Sequence, residues 1–259
     1  MLLTFVSVAV AVVLLVVMLA LFEVGRRFAL ARRTRDPEGA GKGAGAVEAA
    51  IFGLLGLLFA FTFSGAGSRF EERRHQVTEE ANLIGTAYLR IDLLPSDVQA
   101  PMRDLFRRYT EVRANVYRDG TDLAQTKARM DKTAELQNEI WAASVAACRR
   151  PDAPPSAMML VVNALNPMID ITTTRARARH NHPPSVIYAL LGGVSLISAF
   201  MIGNAMGESK TPHRLYPVIF AATIALTFYV IIDLEFPRAG LIRIDSADDV
   251  LFELRQTMK

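Results

Sequence analysis

Long apolar runs stand apart from the rest of the chain at Leu2–Phe22, Glu48–Gly65, Val186–Met206 and Tyr216–Asp233. Each is close to the ~20 residues that carry an α-helix across ~30 Å of hydrocarbon. The pattern predicts four transmembrane helices in two pairs, flanking a large insert in which apolar and charged positions alternate at helical spacing. Little of the insert shows strand alternation. The expected architecture is an all-α membrane protein: a first transmembrane pair (1–66), a helical domain (67–185), a second pair (186–233), and a tail (234–259) packing near the membrane face.

The spans are unequal. Helix one is nearly pure Val, Leu and Ala, which predicts lipid or bundle packing. It lacks a positive leader and ends in Phe22-Glu23-Val24-Gly25-Arg26-Arg27 without a small-residue cleavage pattern, so it reads as a retained anchor. Arg26, Arg27, Arg32, Arg33 and Arg35, then the Gly39–Gly45 stretch, read as a flexible link with charged ends. In helix two, helical spacing puts Phe52, Gly56, Phe59 and Phe63 near one face, with Gly53, Leu57, Ala60 and Ser64 beside it. Small residues let membrane helices approach closely, and phenylalanines either fill a bundle or narrow a pore. Spacing alone favours packing.

Strong helix formers and mixed charges carry helix two past the membrane to Leu89, before Pro95-Ser96 breaks it. Further helices are expected from Asp97 to Tyr117 and over Asp122–Arg149, separated by Asp119-Gly120-Thr121. Met158–Ile171 reads as a buried or interfacial helix, and Pro183-Pro184 closes the insert. Gly192-Gly193 marks a close approach in helix three, and Asn204–Leu215 is the polar turn of a tight final pair. Four crossings leave both termini and the insert on one side; Lys and Arg counts do not say which.

Composition adds exclusions. The 259 residues are 51% apolar and 21% charged, as suits a membrane bundle joined to a polar domain. A net charge of +3 with mixed signs makes no case for nucleic acid. Cys148 stands alone, and His75, His180, His182 and His213 are scattered, so no metal site or cofactor is expected. Zinc-protease, phosphate-loop, dinucleotide and serine-elbow motifs are missing, which argues against an enzyme.

Two polar clusters are the candidate sites. The first lies at the exit of helix two: Ser64, Ser68, Arg69, Glu71, Arg73 and Arg74, with Glu80 and Asn82 beyond. It reads either as ordinary helix solubility and intersubunit pairing or as an electrostatic vestibule. The second is Asp233-Leu234-Glu235-Phe236-Pro237-Arg238-Ala239-Gly240. A charge at Asp233 is costly in lipid, so a partner such as Arg69 or Arg90 is expected, making a latch between membrane and insert.

The strings Phe61-Thr62-Phe63-Ser64-Gly65-Ala66, Ser68-Arg69-Phe70-Glu71, Glu80-Ala81-Asn82-Leu83-Ile84-Gly85-Thr86-Ala87-Tyr88-Leu89-Arg90 and Asp233-Leu234-Glu235-Phe236-Pro237-Arg238 together resemble the bacterial bestrophin-like family. Bestrophins are pentameric anion channels with two transmembrane pairs separated by cytosolic helices. The resemblance implies a bestrophin-like plan, a pore lined by helix two, and a cytoplasmic insert and termini. It adds weight to Phe52, Gly56, Phe59 and Phe63 as neck residues. The dense acidic calcium clasp of animal bestrophins has only Asp245, Asp248 and Asp249 as a counterpart, so calcium regulation is not carried over. No positive ring lies within the membrane, and Arg69 and Arg73 are read at its mouth.

The sequence therefore supports a homo-oligomeric, passive ion channel of the bacterial inner membrane, a pentamer by resemblance, slightly favouring anions. Its partners are copies of itself, the lipid bilayer and inorganic ions. The alternative is a membrane scaffold or signalling protein whose insert binds another protein.

Overall fold

The computed structural model describes residues 2–35, 45–116, 123–208, 215–238 and 240–259. Helices fill most of them: α1 Leu2–Arg35, α2 Gly45–Leu89, a 3₁₀ turn Arg90–Leu93, α3 Ser96–Asn115, α4 Leu123–Cys148, α5 Ala157–His180, α6 Ser185–Glu208, α7 Leu215–Glu235 and α8 Asp245–Thr257. Among the described residues, four stretches are long and apolar enough to cross a membrane: Phe5–Thr34, Gly45–Leu93, Ala157–Gly207 and Leu215–Glu235. The chain divides into two compact units. One comprises residues 1–68 and 182–242; the other comprises 69–181 and 243–259.

In the first unit α1 packs chiefly on α6 and then on α7, across the pairs expected from sequence order. Glycines explain why. A Cβ on Gly203 would lie 2.8 Å from the Phe22 Cα, and one on Gly207 would lie 2.7 Å from the Arg26 carbonyl oxygen. Gly25 meets the Phe200 carbonyl in the same way. Among lipids there is no hydrophobic drive to bring helices together, so backbone proximity and van der Waals contact must do it. Phe28 against Phe200 (centroids 5.9 Å apart) and Phe22 against Phe220 (6.3 Å) fill the flanks. Gly192 and Gly193, expected at a close approach, instead have open space where a side chain would be.

The arginine-rich link after helix one is also corrected, because α1 continues helically to Arg35. Glu23 supports the continuation by accepting from Arg26 at 2.8 Å and Arg27 at 2.7 Å, the three- and four-residue spacings that face each other on a helix. The Asp119-Gly120-Thr121 stop signal, most of Gly39–Gly45 and the tip of the final turn lie outside the described residues.

The second unit has an ordinary apolar core. Val77, Ala81 and Ile84 of α2 meet Met102, Phe106 and Tyr109 of α3, Leu136 and Ile140 of α4, and Val161, Leu165 and Met168 of α5. Pro101 falls in the second turn of α3, where it removes the N–H that would reach the Asp97 carbonyl, and the helix continues through it. Met158–Ile171 lies within α5, whose apolar face is buried in this core rather than interfacial. The stretch 234–259, expected as one tail, is divided: 234–242 belong to the first unit and 243–259 to the second. There amphipathic α8 buries Leu251, and Met258 just beyond its end is buried in the same core.

Replacing Gly203 with leucine forces the α1 and α6 backbones apart. The expected outcome is a large loss of thermal stability in detergent, with Gly192→Leu nearly neutral in the isolated chain. Equal melting of the two variants would refute the assignment of this crossing.

Candidate functional site

The membrane half of α2 is the least buried of the four apolar stretches, at 11%. Its inward line is Leu55, Phe59 and Ala66, all buried, and Phe52 lies edge-on to Phe220 at 6.2 Å. Its outward line runs through Gly53, Leu57, Ala60 and Ser64, spaced four, three and four residues apart. Gly56 and Phe63 are also exposed, and side chains added at Gly53 or Gly56 would meet nothing. The four residues proposed for a neck are thus separated. Phe52 and Phe59 face the chain's own interior, while Gly56, Phe63 and Ser64 face outward.

Beyond the membrane half, the polar residues diverge. Ser68 and Asn82 are exposed, and Arg69 is half-buried. Glu71 is exposed and accepts from Arg74 at 3.0 Å. Arg73 is not a mouth charge in open solvent. It is buried, and its guanidinium donates to the carbonyls of Ala178 at 3.1 Å and Asn181 at 3.0 Å. It thereby caps the end of α5, adding to the Asn181 N–H that also reaches the Ala178 carbonyl at 3.4 Å.

A network absent from the sequence reading lies at the centre of the second unit. The Glu80 carboxylate is fully buried and accepts from Arg113 through Nε (2.5 Å) and Nη2 (3.0 Å), and also from Arg175. Arg175 donates onward to Asp248 at 3.4 Å. Burial pushes the Glu80 carboxyl up, but the charges and hydrogen bonds of Arg113 and Arg175 together outweigh it, holding the group below the usual carboxylate range. These partners lie 33 and 95 residues from Glu80, so no local motif announces them. A signal was present nonetheless. Glu80 falls between Val77 and Ile84, Arg113 follows Phe106 and Tyr109, and Arg175 follows Ile171, so each charge occupies a core-facing helical position.

The end of α7 is a second buried site. Asp233 is 1% exposed. Its Oδ1 accepts from the Tyr229 hydroxyl (3.2 Å) and the Leu241 amide (3.1 Å), and its Oδ2 accepts from the Ile242 amide (2.7 Å). Expected partners Arg69 and Arg90 are replaced by the turn's own N–H groups, while Arg90 donates to the Leu160 carbonyl. Gly240 is required because any Cβ there would overlap the Asp233 carboxylate. Glu235, equally buried, lies 3.3 Å from His182 Nδ1, and the His182 ring stacks on Phe236 at 4.6 Å. Arg238 is half-buried beside this turn in sequence. The carboxylates hold a helix end and its turn; among the described residues no group of three or more metal-ligating side chains gathers here or elsewhere.

Apolar helices divided around a helical insert, with an acidic latch closing the last span, can be compared with known proteins. A family profile described as the bestrophin-like domain matches residues 11–248. The chain belongs to the bestrophin-like family. A crystal structure of a bacterial bestrophin homologue from Klebsiella pneumoniae, a variant with one tyrosine changed to alanine, aligns with a TM-score of 0.67 over 93% of this chain and 98% of that one. At 13% identity this likeness shows the bestrophin fold alone. No curated protein matches. This bestrophin-like chain is a multi-pass protein with the all-α topology of its family.

Two outcomes are expected. Glu80→Ala leaves two buried guanidiniums short of their shared anion and should destabilise the second unit by about 3–5 kcal/mol, read by chemical denaturation. Because the folded-state carboxyl is depressed, the Glu80 contribution is full above the unfolded value of about 4.3 and lost as pH falls through the lower folded value. Acid unfolding of the wild type should therefore show this loss only below about pH 4.3, and Glu80→Gln should flatten it. At the latch, Asp233→Asn turns one acceptor into a donor facing an amide and should cost about 2 kcal/mol. Gly240→Ala should cost at least as much; a wild-type melting temperature in both would count against the latch.

Proposed function

We propose that several copies of this bestrophin-like chain assemble into a passive ion channel, with the membrane half of α2 around the shared axis. The outward face of α2 carries the reading. It carries Gly53, Gly56, Ala60 and Ser64 among the exposed Leu54, Leu57, Phe61 and Phe63, whereas the exposed face of α1 is built from Val6, Val8, Val12, Val13 and Val16 without such a run of small residues. A valine surface suits acyl chains. Glycine, alanine and serine suit close neighbours or a wet lumen, and Phe63 supplies an apolar restriction that gates by excluding water.

Family membership supports oligomeric assembly, and likeness to bestrophins supports five subunits and a cytoplasmic insert and termini. Anions are slightly favoured, on that likeness and on Arg69. Phe59 backs the restriction from the protein side instead of forming it. Ser64, Ser68 and Asn82 follow it as exposed polar groups along the same helix, with Glu71 among them.

Purified protein in sealed liposomes should pass ions above the level of empty vesicles. In a salt gradient the reversal potential should lie toward the chloride equilibrium. Phe63→Ala, which removes the restriction without touching the core, should raise flux roughly tenfold, while Phe59→Ala should act mainly on stability. An intact oligomer with no flux in either wild type or Phe63→Ala would transfer support to the scaffold reading. A shift toward the cation equilibrium would reverse the selectivity.

A further inference from the structure

We propose that the second unit carries a binding site for a small organic anion, a phosphate or carboxylate ester-sized molecule, in the groove between α4 and α5. The groove has a volume of about 540 Å³ and is floored by Arg113. That is within the usual size range of small-molecule sites and far larger than a halide requires. It is independent of the channel reading, since none of its lining residues lies in an apolar span proposed to face the pore.

Helical register builds the walls. Met130, Ala134 and Gln137 recur at four and three residues along α4, while Thr173, Arg177 and His180 recur at four and three along α5. The α4 wall sets Met130 and Ala134 beside Thr133 and Gln137, and the α5 wall is cationic and hydroxylic. The polar groups divide into those already committed and those available. Thr133 and Thr172 donate their hydroxyls to the carbonyls of Arg129 and Ile169. Gln137 Nε2 donates to the Tyr109 hydroxyl at 3.2 Å and Thr172 Oγ1 at 3.4 Å, which fixes the amide and leaves its carbonyl oxygen available as an acceptor. Arg177, His180 and Thr173 have no side-chain hydrogen bond or ion pair among the described residues.

Charge then selects the ligand. Three guanidiniums, of Arg113, Arg175 and Arg177, gather in and just behind the groove against two carboxylates, of Glu80 and Asp248. The balance is positive before His180 is counted. Arg177 can offer the planar pair of donors that fits a carboxylate or phosphate bidentately. Thr173 adds a hydroxyl donor, the Gln137 carbonyl accepts from a hydroxyl on the ligand, and Met130 and Ala134 cover its carbon body. The excess of cationic groups disfavours a cation, and a purely apolar ligand would leave the Arg177 and Thr173 donors unused.

The test uses full-length protein in detergent, titrated calorimetrically with glycerol 3-phosphate in one arm and malate in the other. Saturable binding of at least one probe is expected, and which one binds decides between phosphate and carboxylate. Arg177→Gln should weaken it roughly tenfold or more, and Thr173→Val by a smaller factor. Arg149→Gln, at an exposed arginine outside the groove, should leave it unchanged. Both Arg177 and Arg149 are exposed, so Arg177→Gln and Arg149→Gln should preserve folding, which thermal melting checks. No saturable binding of either probe below about 10 mM would overturn the proposal. So would wild-type affinity in Arg177→Gln, or equal weakening in Arg149→Gln, which marks diffuse charge.

Discussion

A single buried carboxylate organises the second unit of this protein. Glu80 of α2 is shared by Arg113 of α3 and Arg175 of α5, and Arg175 reaches Asp248 of α8. Apolar contacts are forgiving of small slips between helices. An ion group enclosed by protein is not, because a displaced partner leaves a charge where water cannot reach it. The network therefore fixes the register of four helices more than it adds net stability. It also reaches further, since Tyr109 lies within the field of Arg113 and Glu80 and receives the Gln137 amide. Burial raises the Tyr109 phenol well above its ordinary range, so it stays a neutral hydrogen-bonding group at any physiological pH.

The other unit solves the same problem differently. Asp233 is as buried as Glu80 but is satisfied by amides from a turn only eight and nine residues away. That solution is local and requires a glycine, since only Gly240 lets the backbone curl onto the carboxylate. Long-range arginines would have to cross apolar surroundings, where each charge is expensive unless met at once. Helix packing differs in the same sense: the second unit buries Ile, Leu and Phe against one another, while α1 and α6 bring backbones together at Gly25, Gly203 and Gly207.

Sequence periodicity revealed the helices well because membrane spans and amphipathic helices both announce themselves in one dimension. The run of α2 through to Leu89, the α3 break at Pro95 and the burial of α5 follow directly from residue order. What periodicity could not supply was which helix lies against which. The pairing of α1 with α6, rather than with its sequence neighbour, depends on where three glycines meet a partner backbone about 180 residues distant. The same limit hid the partners of Glu80 and misassigned Arg73, whose charge suggested solvent but whose guanidinium closes the end of α5. A charge at a core-facing position was the readable clue, and hydropathy averages erase it.

Glycine illustrates why the functional face needed three dimensions. Gly203 and Gly56 are equivalent as sequence: each is a small residue inside an apolar helix. In the structure Gly203 is filled by the Phe22 backbone, while Gly56 and Gly53 have nothing against them. A glycine in a membrane helix gives up side-chain packing and weakens the helix. That disadvantage is offset where a backbone comes close, as at Gly203. At Gly53 and Gly56, as at Gly192 and Gly193 of α6, no backbone of the described residues comes close. The α2 face is not glycine alone, since Leu54, Leu57, Phe61 and Phe63 are exposed along the same stretch. The unfilled glycines and Ser64, set among these large apolar side chains, are the ground on which the proposed assembly around α2 rests.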